Sequence, residues 1–444
     1  MFDTVTSARA LMGMSLAFHI CFSALGIGLP LLLMLAEGIG LRTGNRLYID
    51  MAKRWTRVAA VLFAVGAVSG TILSFEFGLL WPTFMDFSGG IIGFPFALEG
   101  FAFFTEAIFL GIYIYGWDRL SPRAHWLCTI PLVVSSAISG FFVISSNAWM
   151  NQPRGFEMVD GKAVNVDPIA AMFNPAMPYE VTHGTIASYV AAGFAVAGIY
   201  AIAMLRGDRS EYNKRALVLA LAVGAIAVPL QIVSGDLSAR FVAHNQAEKF
   251  AAMEGQFETE RGMPLRIGGF PDTGDKETHW AIEIPKLGSF LGFEDFDAEV
   301  RGLNDFPQKD IPNAQLVHYP FQVMVASGFF MLFVGAWFFA VAWWRKRIDP
   351  GRWMLRAIAV ATPLGFVAIE AGWFVTEFGR QPWIIWQLMR TSEAATPREG
   401  IGFLLLVFFL VYLALTAGLV LLLLRPVRLA WPGTRERSEV PGVT

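Results

Sequence analysis

The sequence predicts an all-α integral membrane protein with about nine transmembrane helices, the N-terminus outside, the C-terminus cytoplasmic, and one long outer loop between helices 6 and 7. Three observations carry this expectation. Hydrophobic residues make up 55% of the chain and charged residues 16%, against about 45–50% and about 25% in soluble domains. The charge is clumped, so long runs contain almost none. Basic residues crowd alternate connections between those runs.

The charge-poor runs fall near 10–36, 58–75, 87–117, 126–150, 181–205, 216–235, 318–344, 357–376 and 400–424. Lipid offers the backbone no hydrogen-bond partner, so each run is expected to be helical. The first run starts after Arg9 and continues to Ala36. It is longer than the roughly 7–15 residues of a signal-peptide core, which predicts a retained helix. Gly66 and Gly70 form a G-x-x-x-G pair on the second run, a close-packing face.

The connections set the orientation. Connection 1–2 carries Arg42, Arg46, Lys53, Arg54 and Arg57, and connection 2–3 carries no basic residue. Arg206, Arg209, Lys214 and Arg215 follow run 5; Arg345, Lys346, Arg347, Arg352 and Arg356 follow run 7. The tail holds Arg425, Arg428, Arg435 and Arg437. These basic clusters belong in the cytoplasm, which requires an odd number of spans. The chain divides into helices 1–6 over 1–235, an outer loop over 236–317, helices 7–9 over 318–424 and a cytoplasmic tail over 425–444. In the loop, Asp236 to Glu260 reads as an amphipathic helix and Gly262 to Gly274 is rich in Gly and Pro. Phe290, Leu291, Phe293 and Phe296 favour an ordered loop.

Composition excludes several classes. A net charge of −2 gives no support for a polyanionic partner such as nucleic acid. The two cysteines, Cys21 and Cys128, stand in separate apolar runs with no C-x-x-C. Disulfide frameworks, zinc ribbons and covalent c-type heme attachment therefore lack support.

Ionisable side chains in a bilayer are costly and point to function. His19 lies within the first run, where it is either a bonded core residue or a heme ligand. Glu99 and Glu106 lie seven apart on the third run. Seven residues turn a helix by about 700°, so both share one face and suggest a proton path. The bland reading is a pair of structural carboxylates. His183 and Met324 each lie just inside a run reached from outside, at similar depth, a His/Met pattern known for low-spin heme. Seventeen methionines make that match easy to reach by chance. Glu370 and Glu377 are again seven apart, and Arg380 can pair with Glu377 before Pro382. A charged helix terminus would account for Glu377 and Arg380 but not for Glu370. Six histidines in all are too few, and too scattered, for a heme-copper oxidase or a bc-type cytochrome b.

The string Glu377-Phe-Gly-Arg380-Gln-Pro-Trp383, its upstream Glu370-Ala-Gly-Trp-Phe, and Glu99 to Glu106 within Ala97-Leu-Glu-Gly-Phe-Ala-Phe-Phe-Thr-Glu106 resemble subunit I of cytochrome bd-type quinol oxidases. The resemblance runs from Arg9 through the ninth run. It implies a heme-bearing subunit of a terminal oxidase in a bacterial cytoplasmic membrane, oxidising quinol at the outer face and reducing O2 with cytoplasmic protons. It implies heme b558 held by His183 and Met324, and a high-spin pair, heme b595 and a third heme of d or b type, to which His19 and Glu377 belong. It implies that Glu106 and then Glu99, with Ser139, deliver protons, that Trp373 lies between hemes, and that Lys249 and Glu254 contact quinol. It also implies a second large subunit and, in some members, a small single-span one.

The chain departs from the family pattern at Gln322, where better-known members carry arginine, and in its short outer loop. Both features resemble the cyanide-insensitive branch. Two alternatives stay open from the residues: a heme-bearing quinone-linked electron carrier without an oxygen site, and a proton-coupled transporter. Buried Glu99, Glu106 and His19 speak against the first. The lack of an internal repeat speaks against the second.

Overall fold

The computed structural model describes residues 3–345 and 349–424. Lys346, Arg347 and the expected tail over 425–444 lie outside the described residues. Among the described residues, nine helices are long and apolar enough to cross a membrane: Thr4–Thr43, Arg46–Leu80, Pro82–Tyr115, Pro122–Asn151, Met177–Leu205, Glu211–Asn245, Ala314–Trp344, Arg352–Gly379 and Ile401–Leu423. They are called the first to ninth spans below.

Most spans outrun the apolar segments that predict them. The first two helices are separated only by Gly44, left-handed at φ 70°, and Asn45, whose side chain caps Leu47 N. The basic residues of connection 1–2 therefore sit on helix ends. Trp81 alone separates the second and third spans. Pro82 starts the third, because proline breaks one helix and suits the first turn of the next.

The loop between the sixth and seventh spans differs from the expected amphipathic helix over 236–260. The sixth span runs on through Asp236 to Asn245, breaks at Gln246, and a separate helix covers Ala247–Glu254. Gly255, left-handed at φ 64°, ends it. The polar segment outside the spans is thus 246–313. Its Gly/Pro-rich part is an antiparallel ribbon in three ladders: Glu260–Arg261 with Glu299–Val300, Leu265–Ile267 with Ile282–Ile284, and Phe270–Asp272 with Glu277–His279.

The seventh span clamps this ribbon. His318 bonds Met253 O at 2.8 Å and Gly268 O at 3.0 Å. One turn on, Gln322 Nε2 donates to Arg266 O at 3.0 Å and its Oε1 accepts from Gly268 N at 3.1 Å.

Two apolar clusters fill the bundle. The larger joins Leu33, Trp55, Phe194, Leu221 and Phe338 toward the basic end. The smaller joins Leu11, Leu80, Phe84, Trp149 and Ile385 toward the loop end. On the first span Leu16 packs with the loop-end cluster and Phe22 with the other, so His19 falls between them. The fifth and sixth spans touch backbone to backbone: a Cβ on Gly193 would stand 2.5 Å from Gly224 N. Outward faces are strongly apolar, with Phe75 75% exposed and Phe101 71%. Such faces suit lipid or another membrane subunit.

Candidate heme, proton and quinol sites

Each candidate histidine is held by a serine on the next helix. His19 Nδ1 lies 2.9 Å from Ser69 Oγ, and that hydroxyl donates to Val65 O and Gly66 O, both at 3.0 Å. His183 Nδ1 lies 3.0 Å from Ser234 Oγ, whose hydroxyl donates to Gln231 O at 2.9 Å. A serine proton committed to a carbonyl leaves its oxygen only to accept. Each serine oxygen can thus accept from an Nδ1–H, an arrangement that leaves Nε2 with a lone pair. That is the tautomer a metal ligand needs. Each Nε2 also has a polar neighbour: Ser23 Oγ at 2.9 Å for His19, its hydroxyl also 3.2 Å from His19 O, and Gln231 Nε2 at 3.0 Å for His183, also 3.1 Å from His183 Nδ1.

Three of the four candidate ligands also face a glycine. A Cβ on Gly70 would stand 3.0 Å from His19 Cε1. One on Gly235 would stand 3.2 Å from His183 Cε1, and one on Gly372 would stand 3.1 Å from Met324 Sδ. Any side chain at these positions would press on the ligand. The G-x-x-x-G face thus has one tight member, Gly70; Gly66 makes ordinary contact with Phe22 Cβ at 3.6 Å. Trp373 follows Gly372 and is half-buried.

Glu377 sits at the loop end of the eighth span. Its Oε1 accepts from Asn147 Nδ2 at 2.7 Å, and its Oε2 pairs with Arg380. Arg380 is 1% exposed, yet its Nε and Nη1 have no partner. A buried cation with two idle donors is costly unless an anion meets it. The residues therefore fit a heme: two imidazoles each with a serine oxygen at Nδ1, ligands faced by glycine, and idle guanidinium donors suited to a carboxylate-bearing group.

Two of the three proton candidates are in contact. Ser139 Oγ donates to Glu99 Oε1 at 3.1 Å, joining the third and fourth spans. Glu106 is 8% exposed and lines a cavity of ≈ 20 Å³ with Leu25, Leu33 and Leu110.

Lys249 and Glu254 are both buried, at 4% and 5% exposure, rather than on a solvated helix face. Lys249 Nζ donates to Asn151 Oδ1 at 2.9 Å, and Asn151 Nδ2 donates to Glu180 Oε1 at 2.9 Å. Burial pushes the Lys249 ammonium down to about 8, opposed by Glu180 and Glu377. Burial pushes Glu254 up to about 7, opposed by Arg266. Glu254 Oε2 has no partner. Neither side chain borders the 460 Å³ cavity at the loop end, which Glu248, Trp383, Trp386 and Phe306 line. Trp386 Nε1 donates to Glu248 Oε1 at 2.8 Å.

Sequence reasoning missed Glu180, Asn147 and Asn151, which tie Lys249 to Glu377. Glu180 had a readable signal, lying three residues before His183 at the mouth of an apolar run. It also missed Glu76, fully buried and accepting from Ser15 Oγ at 2.7 Å. Glu76 falls one residue past the apolar run that ends at 75. Glu370, singled out by its depth, meets Cys21 Sγ at 3.5 Å.

Residues 7–430 match the family described as cytochrome bd terminal oxidase subunit I. A Bacillus subtilis (strain 168) chain assigned by name to cytochrome bd menaquinol oxidase subunit I is 39% identical over 429 residues, covering 95% of this chain and 96% of the relative. The cytochrome bd ubiquinol oxidase subunit 1 of the same strain is 32% identical over 439 residues, covering 95% and 93%. The solved bd oxidase from Geobacillus thermodenitrificans superposes with a TM-score of 0.90 at 40% identity, covering 96% of this chain and 98% of that one. With the family match spanning residues 7–430 and relatives 39% and 32% identical over nearly their whole length, the chain belongs to the cytochrome bd terminal oxidase subunit I family, the heme-bearing, quinol-oxidising and oxygen-reducing membrane subunit that works with a subunit II.

Proposed function

We propose that this chain oxidises quinol at an outer-facing loop and reduces oxygen with cytoplasmic protons, building a proton motive force by charge separation without a pump. The bound hemes would carry electrons from quinol to oxygen and supply the oxygen-reducing centre. His183 and Met324 would hold the low-spin heme b558. His19 and Glu377 would hold the high-spin pair, heme b595 and a third heme of d or b type, with Arg380 meeting a propionate and Trp373 between the groups. Lys249 and Glu254 would bind quinol and accept its protons on the outer side. Glu106 would receive cytoplasmic protons and pass them to Glu99, which Ser139 orients. The setting would be a bacterial cytoplasmic membrane, with subunit II, and a small single-span subunit, against the apolar outer faces.

The observation that carries this reading is the pair of histidines whose Nδ1 atoms are fixed by Ser69 and Ser234. The test is the reduced-minus-oxidised spectrum with pyridine hemochrome analysis of wild type, His19→Ala and His183→Ala. Loss of a high-spin signal in the first and of the low-spin signal in the second is expected. Unchanged spectra in both would overturn the ligand assignment. Glu106→Ala tests the proton route: slow oxygen reduction with a normal low-spin signal is expected, and wild-type turnover would overturn it.

A further inference from the structure

Glu99 and Glu106 share one face of the third span, and that face continues. Tyr113 lies seven residues beyond Glu106, about 10 Å further along the helix toward the basic end. Tyr113 Oη donates to Glu37 Oε2 at 2.7 Å. Glu37 Oε1 lies 2.7 Å from His125 Nδ1, and His125 Nε2 lies 2.9 Å from Tyr113 O. All three residues are buried, at 1%, 2% and 0% exposure for Glu37, His125 and Tyr113.

The donors and acceptors fix how many protons this cluster holds. A backbone carbonyl only accepts, so His125 Nε2 must carry a hydrogen. The short Nδ1–Oε1 contact then needs one more proton. It lies either on Nδ1, giving imidazolium with carboxylate, or on Oε1, giving imidazole with carboxylic acid. Both states contain the same number of protons. The Glu37–His125 bond therefore holds one proton between two atoms, either of which can carry it.

A cavity that ends about one helical turn short of this bond reaches Glu106; Glu37, His125 and Tyr113 do not line it. The small cavity beside Glu106 is also lined by Leu33 and Leu110, one helical turn before Glu37 and Tyr113. It has room for about one water. Gly26 and Pro30 line it as well, and Pro30 has no N–H to give the Gly26 carbonyl four residues back. On the other side Trp117 lies over His125, 4.0 Å between ring centroids, and Lys53 Nζ lies 5.0 Å from the Trp117 ring. Exposed Asp118 follows Trp117. Thr56 and Cys128 are the other polar groups facing the cluster.

We infer that Glu37, His125 and Tyr113 form the proton-loading station that feeds Glu106. The inference rests on the proposed Glu106–Glu99 relay. Glu37 gives its proton to a cavity water, and that water gives one to the Glu106 carboxylate. The Tyr113 hydroxyl then steadies the Glu37 carboxylate until a cytoplasmic proton reloads the pair. A purely structural cross-link of three helices accounts poorly for the cluster, since a buried ion pair is often no more stabilising than packed apolar residues.

The test uses the purified oxidase complex in liposomes. Quinol-driven oxygen consumption, proton uptake and their solvent isotope effects are measured for wild type, Glu37→Gln, Tyr113→Phe and Glu106→Gln. Glutamine still donates to His125 Nδ1 but holds no transferable proton. Glu37→Gln is expected to keep its unfolding midpoint, heme spectrum and rate of heme reduction by quinol, while turnover falls about tenfold or more and the isotope effect rises. Tyr113→Phe keeps the ring contacts and is expected to lose about two- to fivefold. Wild-type turnover and isotope effect in a fully assembled Glu37→Gln overturn the inference; if that variant fails to assemble, the same result in Tyr113→Phe does so. Glu106→Gln separates the readings. If Glu106→Gln is slow and the cluster variants are not, only the loading station falls. If Glu106→Gln is also fast, the relay falls with it.

Discussion

The methylene stem of Lys249 lies on Gly379: a Cβ at position 379 would stand 2.8 Å from Lys249 Cγ and 3.0 Å from Cε. This contact docks the loop helix Ala247–Glu254 onto the end of the eighth span, beside Glu377 and Arg380. Gly379→Ala must push Lys249 aside, and such overpacking costs about 1–3 kcal/mol. A rise in quinol KM is expected, with the low-spin spectrum unchanged. Steady-state kinetics of the variant check it, and a wild-type KM would show that Lys249 does not position quinol.

The pH profile of quinol oxidation follows from the loop residues. Glu254, raised to about 7 by burial, is protonated below that pH and cannot accept a quinol proton. It becomes a carboxylate as pH rises through 7, so kcat/KM should climb there. Lys249, lowered to about 8, loses its charge as pH rises further, so activity should fall. A narrow bell is expected, and Glu254→Gln should remove its acid limb. An unchanged acid limb in that variant would assign the proton acceptor elsewhere, with Glu248 beside Trp386 the next to test.

Gln322 holds the ribbon by a two-point clasp. Gln322→Ala removes bonds to Arg266 O and Gly268 N, each worth about 1 kcal/mol. Faster proteolysis of the ribbon over 260–300 is expected, together with weaker quinol binding, since Arg266 is the cation that opposes the burial of Glu254. Equal cleavage rates in variant and wild type would mean that His318 holds the ribbon alone.

The glycines facing the candidate ligands give a readout at the hemes. Gly372→Ala would place a methyl 3.1 Å from Met324 Sδ, and Gly235→Ala one 3.2 Å from His183 Cε1. Both should disturb the low-spin signal, whereas Gly70→Ala should disturb a high-spin one. Optical and EPR spectra of the three variants check this. A low-spin change in Gly70→Ala would contradict the separation of ligand sets.

Ser139→Ala removes the hydrogen bond that, among the described residues, orients the Glu99 side chain. Loss of a hydrogen bond to a partly buried carboxylate costs about 1–3 kcal/mol. A several-fold fall in oxygen turnover is expected, with quinol KM unchanged. Threonine should rescue most of it, because the hydroxyl returns.

Much of the site is legible in the chain itself. Charges are rare where lipid surrounds a helix, so Glu99, Glu106, His19 and Glu370 stand out by depth. The seven-residue spacing puts Glu99 and Glu106 on one face, as found. Glu180 and Asn151 do not stand out, because each lies near a helix end, where polar residues are ordinary. Lys249 and Glu254 read by pattern as a solvated face, and their burial depends on the eighth span and on Arg266, which local pattern does not reveal.

The sequence by itself determined the nine spans and the positions of the ionisable groups within them, because the length of an apolar run and the cost of a charge in lipid are local properties of the chain. Only the tertiary structure decided which groups meet. Glu37 and His125 stand 88 residues apart, and Asn147 and Glu377 stand 230 apart. Helical periodicity orients a side chain about its own axis and says nothing of the helix across from it. The serine partners of the histidines, the glycines facing them and the proton held between Glu37 and His125 all follow from those packed pairs.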